Sequence, residues 1–301
     1  MLRIAHHPAY IHPLREGHRF PMLKYELIPA QLIHEGVVTA TSFFMPKLAQ
    51  RTDVLLAHDE AYVQALLDLT LDAKMVRRIG FPLSKELVDR ELYLVDGTIQ
   101  ASIFAQQYGV AFNTAGGTHH AGRDFGEGFC LLNDQAVAAA YLFRRKLAER
   151  ILIIDLDVHQ GNGTAHIFAG HGNIFTFSMH GEKNFPFIKE RSHVDVPLPD
   201  GMEDEAYLGL LESTVEQALL RYEPDFVFYQ AGVDILATDK LGKLKLSEEG
   251  CRLRDKFVFK ACRERGIPVQ VSMGGGYSVH IKDIVNAHVN TYKTAIEVFG
   301  F

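Results

Sequence analysis

The sequence predicts an α/β fold, a mainly parallel central sheet with helices on both faces forming a single domain over residues 1–301. Two patterns carry that expectation. Short apolar runs bounded by turn residues alternate with longer segments whose apolar residues recur at spacings of three and four. No repeat, low-complexity tract or Pro/Gly/Ser-rich linker divides the chain.

In chain order, Met22–Glu35 and Asp59–Leu71 read as helices, and no strand before Gln107 can be paired from its pattern. From Ser84 the alternation is regular. Helices are expected over Ser84–Gln107, Asn133–Leu147, Glu203–Arg221, Ser247–Arg265 and His280–Val298. Buried strands are expected over Tyr108–Asn113, Arg150–Leu156, Asn173–Met179, Asp225–Gln230 and Pro268–Met273. Ser247 followed by Glu248 and Glu249 has the form of an N-cap with an acidic first turn, and Gly266-Ile267-Pro268 stops that helix before the next strand. Such a βαβα order closes into a parallel sheet.

Composition narrows the function. Lys and Arg total 31 against 37 Asp and Glu, a net charge of −6 with no long run of either sign, which gives a nucleic-acid surface no electrostatic support. The 3 cysteines, Cys130, Cys251 and Cys262, form no C-x-x-C pair, so neither a disulfide framework nor a thiolate zinc site is expected. A reducing, cytoplasmic setting is the expectation. The first residues lack the pattern of a secretory signal, and no apolar stretch is long enough to span a bilayer, so no membrane partner is expected. Nothing in the sequence indicates an oligomeric state.

In open α/β sheets, ligands bind beyond the carboxyl ends of the strands. Thr114-Ala115-Gly116-Gly117-Thr118-His119-His120 follows one predicted strand, and Asp155-Leu156-Asp157-Val158-His159-Gln160-Gly161-Asn162-Gly163 follows another. Ala231-Gly232-Val233-Asp234 and Gly274-Gly275-Gly276-Tyr277 follow two more. Singly, each has a bland explanation as a turn, a helix cap or a structural histidine pair. Their delivery to one edge of one sheet is what asks for a site.

Residues two apart in an extended segment point the same way, so Asp157 and His159 can present ligand atoms to one ion, completed by Asp234 from another strand end. Two carboxylates and an imidazole suit a divalent ion such as Zn²⁺ or Fe²⁺ and leave a position open for water, which the ion acidifies. His119 or His120 can then move the proton to a leaving amine, and Tyr277 can donate its hydroxyl to the carbonyl oxygen. These residues describe a hydrolase without fixing its acyl group.

With Gly128-Phe129-Cys130 added, these motifs, in this order over nearly the whole chain, resemble the zinc-dependent histone deacetylase superfamily with its arginase/deacetylase fold. Gln160, Asn162, Ala231 to Leu236 and Asp239 to Gly242 look most like the class IV branch and its bacterial relatives. The resemblance implies deacylation of an acyl-lysine protein or peptide, its class IV character leaning toward long-chain acyl groups, or of an acetylated amine, with Asp157, His159 and Asp234 on Zn²⁺ and Tyr277 polarising the carbonyl. It implies His120 as general base and acid paired with Asn162, and His119 as electrostatic partner hydrogen-bonded to Asp155. Gly128, Phe129, Phe185, Leu241 and Gly275 would line the substrate tunnel. Asp155, Asp157, His159, Ser178 and Met179 would surround a structural K⁺, and Arg19 would stand at an internal cavity through which acetate leaves.

Many class I members carry an acidic residue where this chain has Asn162, so His120 is expected to titrate lower than theirs. Rival readings remain. A binuclear manganese hydrolase of the same fold wants a further carboxylate where Ile235 and Leu236 stand. An acetylpolyamine amidohydrolase shares the chemistry, whereas a non-catalytic acyl-lysine binding module should have lost a ligand or Tyr277.

Overall fold

A computed structural model describes residues 1–301. Its centre is one sheet of eight strands in the order β2-β1-β3-β8-β7-β4-β5-β6. The strands are β1 (Arg3–Ala5), β2 (Phe43–Phe44), β3 (Val110–Asn113), β4 (Ile151–Asp155), β5 (Ile174–Gly181), β6 (Val194–Leu198), β7 (Phe226–Gln230) and β8 (Val269–Ser272). Every neighbouring pair is parallel. The single α/β domain with its parallel sheet is the architecture that the alternation predicts.

Alternate residues of each strand face opposite sides, and both sides are packed. Leu152, Ile154, Val227 and Tyr229 join one core with α8 (Asp204–Tyr222), α9 (Glu248–Glu264) and α10 (Ile281–Phe299). Ile151, Ile153, Phe226 and Phe228 join the other with α5 (Lys85–Tyr108) and α6 (Asp134–Arg144). Burial on both faces explains why these strands read as unbroken apolar runs rather than alternating ones.

The predicted strands and helices fall within a few residues of their expected bounds. Tyr108 belongs to the end of α5 rather than to β3. Lys24 opens α1 (Lys24–His34), and the segment expected as Asp59–Leu71 is helical only over α3 (Glu60–Leu67), ending before Leu69 takes φ 57°. Three strands lay outside the reading. β1 and β2 hold 3 and 2 residues, too few for a period to show, and β6 alternates exposed and buried residues at the sheet edge. No helix is long and apolar enough to cross a membrane.

Candidate metal centre and substrate cleft

The central strands β3, β8, β7 and β4 lie side by side and parallel, so their carboxyl ends open onto one crevice. Each following loop is fixed by buried polar groups. Asp134, just inside α6, accepts from the backbone N–H groups of Gly117 and Thr118, both at 2.8 Å, and so shapes the turn that presents His119 and His120. Arg254 on α9, fully buried beside Asp255 at 2.7 Å, donates to the carbonyls of Gly232 at 2.5 Å and Leu156 at 3.3 Å. One guanidinium thereby ties together the two loops that carry Asp157 and Asp234.

Asp157, His159 and Asp234 are buried with one potential ligand atom each, all within 4.8 Å of one another. Nδ1 of His159 lies 3.1 Å from both Asp157 Oδ1 and Asp234 Oδ2. The other carboxylate oxygens are already held: Gly275 N–H donates to Asp157 Oδ2 at 2.7 Å and Val158 N–H to Asp234 Oδ1 at 2.9 Å. A Cβ at Gly275 would sit 2.0 Å from Asp234 Oδ2, so only glycine permits this approach.

Two buried carboxylates facing one imidazole leave a negative site that a divalent cation neutralises, and the two-oxygen, one-nitrogen donor set suits Zn²⁺ or Fe²⁺. The residues fit the ion. Burial opposes the charge on His159, but its bonds to Asp157 and Asp234 outweigh this and push it up to about 10. Burial, then the neighbouring Asp157 charge, pushes Asp234 upward as well. Binding a cation here must release protons.

His119 and His120 differ in their partners. His119 Nδ1 lies 2.7 Å from Asp155 Oδ2, and although burial opposes its charge, Asp155 and Asp157 raise it to about 9. His120 Nδ1 meets the amide oxygen of Asn162 at 2.6 Å, and burial, then the charges of His119 and His159, lower it well below its usual value. The Asn162 hydrogen bond acts in the opposite, raising direction, so burial rather than the amide is the main cause.

Glu127 has no counterpart in the sequence reading. Its Oε1 accepts from the Asn162 amide nitrogen at 2.5 Å while Arg78 Nε donates to Oε2 at 2.5 Å. A carboxylate paired with a guanidinium is an acceptor, so it turns the Asn162 oxygen toward His120 and requires Nδ1 of His120 to carry the proton. Nε2 is left as the basic atom. The available signal was an acid directly before Gly128-Phe129.

Tyr277 is buried, its hydroxyl makes no hydrogen bond within the protein, and burial with the Asp157 and Asp234 charges raises its pKa, keeping it a donor. Asp239 sets its backbone, accepting from Tyr277 N–H at 2.5 Å and from the N–H groups of Leu241 and Gly242 at 2.8 Å each. An outer cleft of about 390 Å³ is lined by Gly128, Phe129, Phe185, Leu241 and Tyr277, and reaches His120 and His159. Gly128 adopts φ 56°, and a Cβ there would lie 2.6 Å from the His120 ring.

Gly275, expected in the tunnel, lines the smaller inner chamber of about 30 Å³ that Gly128 and Phe129 share, with Phe20, Tyr25, Arg90 and Tyr277. Arg19 lies away from the inner chamber. It is exposed at the outer mouth, its guanidinium 5.0 Å from the Phe129 ring centre. Two buried cations stand at the inner chamber: Arg90, which lines it and is paired with Glu91, and Lys24 just behind the lining, whose Nζ donates to the Gly274 carbonyl at 2.7 Å and lies 6.0 Å from the Tyr277 ring centre. Burial lowers Lys24 to about 8 against the pull of Asp234 and Asp157. Asp155 and Ser178 are register partners on β4 and β5, with Met179 next along β5. The three cysteines are buried and free.

Comparison with known proteins gives the same picture. The family model described as histone deacetylase domain matches residues 18–292. An uncharacterized protein of Picosynechococcus is 45% identical over 296 residues, covering 98% of this chain and 99% of the relative. Histone deacetylase 2 of Arabidopsis thaliana is 32% identical, covering 86% of this chain and 70% of its own length. The crystal structure of an HDAC homolog complexed with SAHA superimposes with TM-score 0.85 at 26% identity, covering 99% of this chain and 84% of that one. An HDAC homolog from Aquifex aeolicus gives TM-score 0.82, also at 26% identity, with the same coverage.

Proposed function

The chain belongs to the histone deacetylase family, and from that premise we propose that it hydrolyses the amide of an acylated lysine. The observation that carries this reading is the buried Asp157–His159–Asp234 cluster at the floor of a cleft that also presents His120 and Tyr277. Those three residues would hold a divalent ion, Zn²⁺ first and Fe²⁺ second. When bound, such an ion supplies Lewis acidity to water and to the scissile carbonyl.

The chain's own groups do the rest. His120, protonated at Nδ1 and free at Nε2, takes a proton from the attacking water and returns it to the departing lysine amine. Its lowered pKa keeps it in the basic form at neutral pH. His119, hydrogen-bonded to Asp155, steadies negative charge as it develops. Tyr277 donates its unpaired hydroxyl to the carbonyl oxygen. Phe129 and Phe185 flank the lysine stem and exclude water. Asp155, Asp157, His159, Ser178 and Met179 would surround a structural K⁺.

An inner chamber of about 30 Å³ has room for roughly two water-sized groups, which favours acetyl or similarly short acyl groups over fatty chains. Arg90 in the lining and Lys24 behind Gly274 are the buried cations nearest the carboxylate product. The reading includes a cytoplasmic setting, where acylated proteins are at hand. An assay with acetyl-, butyryl- and myristoyl-lysine peptides, zinc added or chelated, tests it: zinc-dependent turnover of the acetyl peptide supports the proposal, and none on any acyl-lysine rejects it.

A further inference from the structure

The mouth of the cleft carries a charge pattern that the hydrolytic chemistry does not use. Arg19, Arg78, Lys183 and Lys243 line it, and no Asp or Glu does, on a chain whose net charge is −6. Arg78 is met by Glu127 from behind, and Lys183 only loosely by Asp200 at 3.9 Å. Arg19 and Lys243 form no ion pair. Positive side chains are therefore gathered at an opening that leads to His120 and His159, and the low-dielectric walls of a cleft strengthen such a field.

Beside these cations stand the two most exposed large apolar side chains of the segment from Lys183 to Arg191, Phe187 at 86% and Ile188 at 89%. Their loop is braced from within. Lys189 Nζ donates to the carbonyls of Asn184 and Pro186, both at 2.6 Å, Asn184 Nδ2 donates to Leu241 O at 2.7 Å, and Lys243 Nζ to Lys183 O at 3.2 Å. Phe187 itself lines the mouth. An ordered apolar ledge next to unpaired cations is complementary to a chain that is acidic with an apolar residue nearby, and it repels a polycation.

We infer that the mouth formed by Arg19, Lys183, Lys243 and Phe187 selects acyl-lysines flanked by acidic residues, and disfavours lysine-rich tails and acetylated polyamines. This rests on the deacylase reading and names its substrate class. A long-chain polyamine keeps one or more ammonium groups that would have to sit among these cations, whereas Asp or Glu side chains on either side of the modified lysine would pair with Arg19 and Lys243.

Three acetyl-lysine peptides of equal length, with acidic, neutral or basic flanks, are compared with an acetylpolyamine and a small uncharged acetyl-lysine amide, using the zinc-loaded protein at low and high salt. The expected kcat/KM is roughly tenfold higher for acidic than neutral flanks and lower again for basic ones, with the spread shrinking in high salt. In an Arg19→Glu/Lys243→Glu variant the order should invert while the uncharged amide is hydrolysed as before, and Phe187→Ser should raise KM for the acidic peptide without altering the amide. Equal kcat/KM for all flanks, an order unchanged by charge reversal, or an acetylpolyamine turned over as fast as the acidic peptide would overturn the inference. Failure to hydrolyse even the uncharged amide would instead overturn the deacylase reading.

Discussion

His119 and His120 are consecutive, buried and have ring centres 4.1 Å apart, yet they stand in two different electrostatic regions. The His119 region ends in a carboxylate, Asp155, in direct contact, and holds its imidazole up to about 9. In the His120 region an amide, Asn162, is interposed before the carboxylate of Glu127, and the imidazole is pushed down. With both rings buried, a carboxylate in direct contact raises His119, whereas at His120, with only an amide in contact, burial and the neighbouring histidine charges prevail. A like-charged neighbour helps, since each protonated histidine disfavours the other.

Both regions converge on Asp157, His159 and Asp234, so the severest test is to empty that cluster of metal. Chelation, verified by metal analysis, should reduce acyl-lysine turnover to background, and zinc should restore it; turnover by a metal-free protein would break the convergence outright. Next in size are the histidines themselves. His120→Asn should cost on the order of 10³-fold in kcat/KM, the scale of a lost general base, and His119→Asn distinctly less. Equal losses would erase the distinction between the two regions.

Glu127→Gln frees the Asn162 amide to turn over, and a roughly tenfold loss of kcat is expected, as for other residues that orient an active group. In an Asn162→Asp/Glu127→Gln double variant the carboxylate and amide exchange places. His120 then gains the direct anionic partner that His119 has, and the acidic limb of the kcat/KM profile should rise by about one pH unit. An unmoved limb would show that Asn162 and Glu127 do not set the difference. Asn162→Asp alone is a poorer test because it sets two carboxylates against each other.

The smallest effect concerns stability in the metal-free protein. His119 has a folded pKa of about 9 against an ordinary 6.5, so its pairing with Asp155 stabilises the fold fully below 6.5 and is lost as pH rises through about 9. Asp155→Asn should therefore lower the melting temperature at pH 6 and show a narrower gap from wild type at pH 10, measured by thermal denaturation. A gap independent of pH would mean that the His119–Asp155 pair is not what holds the region together.

Much of the site was legible because its chemistry sits in short segments after strong strand signals. Asp157 and His159 are two residues apart in extended chain, so their common direction follows from local geometry alone. Glu127, Arg78 and Lys24 were illegible for the opposite reason. Each acts across a large sequence separation, Lys24 on the carbonyl of Gly274 and Arg78 on Glu127, and an isolated acid or base in a loop resembles any solvated charge. Arg19 and Lys24, five positions apart, differ in tertiary placement: the arginine is exposed at the mouth and the lysine, at the start of α1, is buried.

What the sequence by itself determined was the parallel α/β architecture and which residue types arrive at the carboxyl edge, because hydrophobic period and turn chemistry are properties of a few consecutive residues. Tertiary structure alone decided which nitrogen of His120 is basic, which cations stand at the inner chamber, and what charge surrounds the mouth. Those depend on electrostatic and hydrogen-bond partners supplied by distant segments, and burial multiplies the effect of each partner by removing the water that would otherwise screen it.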